Sequence, residues 1–145
     1  MQAKETIFLP FLNVKQQFHI PIYQRTYSWE REECLQLWND IVRVALDAGT
    51  PAHFIGSVVY IKPGTAADLV TRPAKRLIID GQQRLTTLTL LLCALRDAVQ
   101  EAEAKGESTG VIAAQIQDEY LTNKYGENED RWKILLTDKD RDSLL

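Results

Sequence analysis

The residues with the greatest chemical potential fall in the run Leu77-Ile78-Ile79-Asp80-Gly81-Gln82-Gln83-Arg84-Leu85-Thr86-Thr87-Leu88. A short apolar run of strand type leads through a glycine into an amphipathic helix without a spacer. A glycine lets the backbone turn tightly and approach a ligand, and a helix that starts there points unpaired N–H groups outward. Those groups and the helix dipole make an anion site, to which Arg84 adds a permanent charge with forked geometry. Gln82 and Gln83 can hydrogen-bond phosphate or sugar oxygens without adding charge. Asp80 can position Mg²⁺ through water or orient an attacking water, since magnesium keeps waters and uses few protein carboxylates. The same letters also fit a plain turn: Asp-Gly after a strand is common, and Asp or Thr near a helix start is often only a cap. Against the plain turn, two Gln and an Arg at a helix start between two apolar runs have no other evident use.

A second candidate segment is Ile20-Pro21-Ile22-Tyr23-Gln24-Arg25-Thr26-Tyr27-Ser28-Trp29. Arg25 is another planar cation suited to phosphate, and Tyr23, Tyr27 and Trp29 can stack on a base or pack against the arginine stem. Read structurally, the segment is a strand-to-helix connection in which Trp29 and Tyr27 pack inward, but Arg25 and Gln24 are hard to place in a core. His53 precedes an apolar run and reads as a structural histidine, with an accessory acid–base role left open. Gly56 inside that run suggests a bulge or a close backbone approach. Arg72, Lys75 and Arg76 can assist an anionic ligand, although solvated charge is the default. Metal-ligand spacing, a Ser or Cys nucleophile partnered by His, and a Walker A pattern are all absent, which argues against a conventional P-loop NTPase.

Several elements must position these groups. Residues 18–22 read as a short strand that Pro21 ends or places at a sheet edge. Ser28 offers an N-cap, Glu30, Glu32 and Glu33 favour the positive end of a helix, and the periodicity predicts that helix from about Trp29 to Ala48. His53 to Ile61, rich in β-branched and aromatic residues, reads as a largely buried strand. A loop over 62–75 separates it from the strand 77–79, and the two are expected to pair antiparallel. The helix after Gly81 carries a wide apolar stripe through Leu85, Leu88, Leu91, Leu92, Leu95 and Val99. Helical spacing resumes over 111–121, and 132–136 reads as a strand or extended segment. Thr137 to Asp140 looks like the cap of a helix that barely begins, so the 145 residues are expected to be an N-terminal piece of a longer chain.

Composition is that of an ordinary globular domain, 45% hydrophobic and 26% charged, with a formal net charge of -3. The charge is uneven: residues 1–50 sum to -1, residues 51–97 to +3 and residues 98–145 to -5. The net-positive stretch holds the glycine turn, whereas the acidic final third disfavours a broad nucleic-acid footprint by this chain alone. Cys34 and Cys93, far apart and in apolar helical patterns, read as buried thiols of a reducing cytosol, and no signal-peptide layout or membrane span is visible. A cytoplasmic protein with no membrane partner is expected.

The pair Ile-Pro-x-Tyr-Gln-Arg-x-Tyr-x-Trp (Ile20 to Trp29) and Ile-Asp-Gly-Gln-Gln-Arg-Leu-Thr-Thr-Leu (Ile79 to Leu88) closely resembles the DGQQR-motif N-terminal domain of GmrSD-type, modification-dependent (type IV) restriction endonucleases. His53-Phe54-Ile55-Gly56-Ser57 and Leu135-Leu136-Thr137-x-x-Asp140-Arg141 also look like that family. The resemblance covers nearly the whole chain. It implies an α/β (α+β) domain of ParB/sulfiredoxin-like type, a small mixed sheet flanked by helices. It places nucleotide phosphates on Gly81, Gln82, Gln83 and Arg84, with Tyr23, Gln24 and Arg25 as the facing wall. Asp80, Arg84 and Arg25 become the catalytic candidates, with Asp80 also the group expected to hold Mg²⁺ through water and His53 an accessory. The expected ligand is a nucleoside triphosphate with Mg²⁺, and the expected activity is NTP hydrolysis coupled to cutting modified phage DNA. The nuclease is expected in a C-terminal HNH-like region or subunit that this chain does not contain. Two alternatives remain: a ParB-like module that binds nucleotide or DNA without turnover, and a domain that itself nicks DNA through Asp80 and His53.

Overall fold

The computed structural model describes residues 4–49, 52–63, 72–137 and 140. Its centre is a four-stranded mixed sheet built from β1 (Gln16–His19), β2 (Val59–Ile61), β3 (Ala74–Asp80) and β4 (Ile134–Leu135) in the order β2-β3-β1-β4. β1 pairs parallel with both β3 and β4, and β2 closes one edge antiparallel to β3. The helices are α1 (Phe8–Leu12), α2 (Arg31–Leu46), α3 (Gln82–Ala104) and α4 (Ala113–Ile116), the last continued by a π-helical turn over Gln117–Leu121. The expected α/β class with a small mixed sheet is observed, and so is the antiparallel pairing of β2 with β3.

Phe18 and Ile78, on the two central strands, are fully buried with Leu12, Ile20, Leu85, Ile134 and Leu136. This cluster holds the start of α3 against the sheet, since Leu85 lies one turn into that helix. A second cluster of Val99, Ala113, Ile116 and Leu121 fixes the far half of α3 to α4 and the π turn. Burying a side chain such as Phe18 is worth about 1.5–3 kcal/mol, so these two clusters are the main anchors of the 23-residue helix.

Four expectations need correction. The first strand is Gln16–His19, so it begins before the expected Phe18, and it lies in the middle of the sheet; the strand stops short of Pro21, in keeping with a proline that ends it, and the alternative of an edge strand is not observed. Buried Gln17 is tolerated there because its amide donates to the carbonyls of Glu129 and Trp132 and its Oε1 accepts from His19 Nε2 at 2.6 Å. The segment 53–61 is a strand only over Val59–Ile61, because Gly56 adopts a left-handed φ of 99° and a register shift follows between Val59 and Tyr60. Phe54 is consequently 82% exposed rather than buried.

The remaining two corrections concern boundaries. β3 begins at Ala74, so the expected loop over 62–75 ends earlier, and most of that loop lies outside the described residues. Helix α2 is capped by Glu30 rather than Ser28: the Glu30 side chain accepts from the Glu33 backbone, and Glu33 accepts from the Glu30 N–H at 2.9 Å. α1 has no counterpart among the sequence expectations, and the helix expected after Asp140 lies outside the described residues. The cysteines are free and half-buried.

Candidate functional site

Three parallel strands deliver their carboxyl ends to one edge of the domain, which is where open α/β sheets usually place ligands. β1 leads into the segment 20–29, β3 into Gly81, and β4 into the stretch that ends at Asp140. Backbone and side-chain bonds tie these exits together: Ile20 N–H to the Leu135 carbonyl at 2.9 Å, Gln24 Nε2 to the Ile79 carbonyl at 3.2 Å, and Tyr27 N–H to Asp140 Oδ2 at 3.0 Å. The two motifs read from the sequence are therefore neighbours, although 55 residues separate Gln24 from Ile79.

The turn between β3 and α3 depends on glycine. Gly81 is the N-cap of α3 with φ 90°, and a Cβ there would lie 2.8 Å from the Ser57 carbonyl oxygen. No side chain caps the helix and no acidic residue occupies its first turn, so the first-turn N–H groups keep the anion-binding character of a bare helix start. Arg84, on that turn, donates from Nη2 to the Ser57 carbonyl at 2.8 Å and lies 3.9 Å from Asp80 Oδ2. The Asp80 carboxylate is 65% exposed and the Arg84 side chain 31%.

The two glutamines do something that the sequence did not reveal. Both are buried. Gln82 Nε2 donates to the Arg25 carbonyl at 2.6 Å. Gln83 makes two bonds to the same loop, Nε2 to the Thr26 carbonyl at 3.1 Å and Oε1 from the Ser28 N–H at 2.8 Å. Their amides thus clamp the segment carrying Tyr23, Gln24 and Arg25 onto the helix start, while Gln82 Oε1 is buried without a hydrogen-bond partner among the described residues. A clamp of this kind could be found from sequence only by knowing which loop faces the helix. Tyr27 extends it: its phenol meets Thr87 Oγ1 at 2.8 Å on α3 and Cys34 Sγ at 3.5 Å on α2. Burial pushes the Tyr27 pKa up, and the nearby Cys34 and Glu33 act in the same direction.

Held by its backbone, Arg25 keeps an exposed side chain that makes no hydrogen bond or ion pair among the described residues. Tyr23, two residues earlier in the sequence, is 69% exposed. His53 is elsewhere occupied: Nε2 lies 3.2 Å from Asp40 Oδ2 and Nδ1 3.3 Å from Arg43 Nη2, both on α2. In that arrangement Nε2 faces a carboxylate acceptor and Nδ1 a guanidinium donor.

Among the described residues no group of three or more His, Cys, Asp or Glu gathers as a metal site. Asp80, the residue expected to hold magnesium, has an accessible carboxylate whose one contact among the described residues is the long one to Arg84. An ion held chiefly by water and phosphate needs little more from the protein.

A concavity of about 550 Å³ lies away from this site, at the amino ends of the parallel strands, lined among others by Lys15, Arg72, Asn123 and Lys133. Its charges are mixed and partly matched, Arg72 with Asp130 at 3.7 Å and Lys124 with Asp118 at 3.5 Å. Lys133 is buried with its ammonium on the Val14 carbonyl at 2.6 Å, and burial lowers its pKa. Of the basic trio, Arg72 belongs to this end, and Arg76 stacks over Tyr60 at 5.4 Å.

Residues 8–145 match the N-terminal domain of the GmrSD restriction endonucleases. The chain belongs to that family. Its membership places the domain in a DNA restriction system of the antiphage kind and ties it to an endonuclease. No curated protein matches the chain. No helix among the described residues is long and apolar enough to cross a membrane.

Proposed function

We propose that this GmrSD N-terminal domain binds and hydrolyses a nucleoside triphosphate and thereby regulates cleavage of modified foreign DNA, with the nuclease in a C-terminal HNH-like region or subunit. The observation that carries the reading is the start of α3: uncapped, without acidic first-turn residues, preceded by a left-handed glycine, and flanked by Asp80 and Arg84.

The chemistry follows from what each group can do. Phosphate oxygens accept from the first-turn N–H groups of α3, where the helix dipole adds to the attraction. Arg84 supplies a fixed cation at that edge, and Arg25 a second one from the facing wall. Charge that develops on the transferred phosphoryl group is stabilised by these donors, which need little reorganisation because Gln82, Gln83 and Ser57 already hold their backbones or head groups. Asp80, the accessible carboxylate, orients the attacking water. A magnesium ion bound with the nucleotide would be held by Asp80 through water and would neutralise phosphate charge. Tyr23 offers a face for the base.

The test is nucleotide binding and phosphate release by the full protein, wild type beside Asp80→Ala, Arg84→Ala and Arg25→Ala. Binding should fall about 10- to 100-fold in the arginine variants, the worth of one charge-assisted contact, and Asp80→Ala should bind but not turn over. Saturable binding without release in wild type would leave a binding module. Metal-dependent nicking by this domain, abolished by Asp80→Ala, would move the chemistry to DNA. Absence of saturable nucleotide binding in wild type would overturn both nucleotide readings.

A further inference from the structure

Gly56 is the one residue of its segment with a left-handed φ, and nothing in the proposed nucleotide chemistry has so far used it. Its neighbour across the fold is the Arg84 head group. A Cβ built on Gly56 would lie 2.7 Å from Arg84 Cζ and 3.0 Å from Nε, far inside contact distance. The guanidinium therefore rests on the bare backbone of Gly56, with the adjacent Ser57 carbonyl taking its Nη2 proton at 2.8 Å. Arg84 Nε is buried without a hydrogen-bond partner among the described residues, so one carbonyl and the surface of Gly56 fix the head group on this side. An unpaired buried donor is costly, and the seat retains the arginine there despite that cost. The same segment meets the other glycine of the turn: a Cβ on Gly81 would strike the Ser57 carbonyl oxygen and approach Val58 Cα to 3.2 Å.

We propose that Gly56 is a positioning residue for the nucleotide site, its missing side chain forming the seat that keeps the Arg84 guanidinium beside Asp80 at the α3 start. The inference rests on the nucleotide reading for its functional consequence, but the seat itself does not. Because the displaced atoms are the free end of a long side chain, Gly56→Ala moves the arginine rather than the fold. Alanine also strains the left-handed backbone, and Gly110 supplies the control: φ is 74° there and a Cβ would meet nothing within 4 Å.

The experiment compares Gly56→Ala, Gly110→Ala, Arg84→Ala and the Gly56→Ala/Arg84→Ala pair in the full protein by thermal melting, nucleotide affinity and turnover, with a crystal structure of Gly56→Ala. Both glycine variants should lower Tm by similar amounts, while only Gly56→Ala should weaken nucleotide binding, by about tenfold. In the Arg84→Ala background the Gly56 substitution should cost no further affinity, since coupled sites are non-additive. Equal losses in both backgrounds, or wild-type affinity in Gly56→Ala, would overturn the proposal while leaving the nucleotide reading intact. Wild type that binds no nucleotide would overturn the nucleotide reading and the functional part of this one. The crystal structure then decides the seat alone, with an undisplaced Arg84 head group refuting it.

Discussion

The domain contains two helix starts of opposite construction, close enough to share a tyrosine. α2 is closed on itself: Glu30 and Glu33 satisfy each other's backbone N–H groups, and Glu32 and Glu33 place negative charge on the positive end of the dipole. α3 is left open: a left-handed glycine stands at its N-cap, no side chain caps it, and its first turn carries Arg84 and no acid. Tyr27 lies between them, on Cys34 of α2 and Thr87 of α3. A helix that needs only to be stable is capped by its own residues. One whose orphan N–H groups are to serve a ligand must be stabilised otherwise, and α3 is: Leu85 and Val99 anchor it in the two cores, and Gln82 and Gln83 brace its start against the 25–28 loop.

The largest effect expected from this contrast is at the open start. Gly81→Ala meets both a left-handed backbone and the Ser57 carbonyl, so it should cost about 2–4 kcal/mol in stability and abolish nucleotide binding. Denaturant unfolding with nucleotide titration checks both; retention of wild-type stability would show that the 57–58 backbone yields easily and that the turn is not fixed. Next is Gln83→Ala, which removes two hydrogen bonds from the loop and should destabilise by about 2 kcal/mol. Faster amide hydrogen exchange should follow at Ser28, whose N–H loses its acceptor, whereas protection within the core strands should fall only to the extent of the global loss. Unchanged exchange at Ser28 would deny the clamp.

These braces also mark where sequence reading succeeded and stopped. The strand, glycine turn and helix at 77–99 were legible because the signals are local: an apolar run, a residue free to take positive φ, then helical periodicity. The neighbourhood of the two motifs followed from family resemblance and not from spacing. β1 was harder to place, since its two buried glutamines look like surface residues until distant carbonyls at Glu129 and Trp132 satisfy Gln17. The stretch 53–61 reads as one long strand because β-branched content speaks for pleated structure, yet the glycine inside it already suggests a bulge or a close approach, and Gly56 does take a left-handed φ against the Arg84 head group. Gln82 and Gln83 read as ligand donors, since polarity alone does not reveal that their amides face a loop more than 50 residues away. The α2 cap was misplaced by two residues because Ser28 and Glu30 are both competent acceptors, and the Ser28 N–H is drawn to Gln83.

The closed start supplies the complementary, smaller prediction. Glu33→Ala breaks the capping box and should cost about 1 kcal/mol of stability. Nucleotide affinity should be unchanged, because the substitution leaves α3 and its braces in place. A several-fold loss of affinity would mean that the two helix starts are energetically one unit.

The smallest effect isolates the tyrosine that joins them. Burial raises the Tyr27 pKa in the folded protein, so the native state holds its phenolic proton to higher pH than the unfolded chain does. The associated stability is fully present below the ordinary value of 10.0 and is lost as pH rises from there through the raised folded value, where the unfolded state releases the proton first. Tyr120 is shifted the same way, also chiefly by burial, so the wild-type decline above pH 10.0 contains both residues and the Tyr27 share must be taken by difference. Tyr27→Phe removes the bonds to Thr87 and Cys34 at every pH and should lower stability by about 1 kcal/mol near neutrality. That gap between wild type and variant should close as the pH is taken above 10.0. A gap that stayed constant or widened would show that the phenolate is accommodated between α2 and α3, and that the bridge does not depend on the proton.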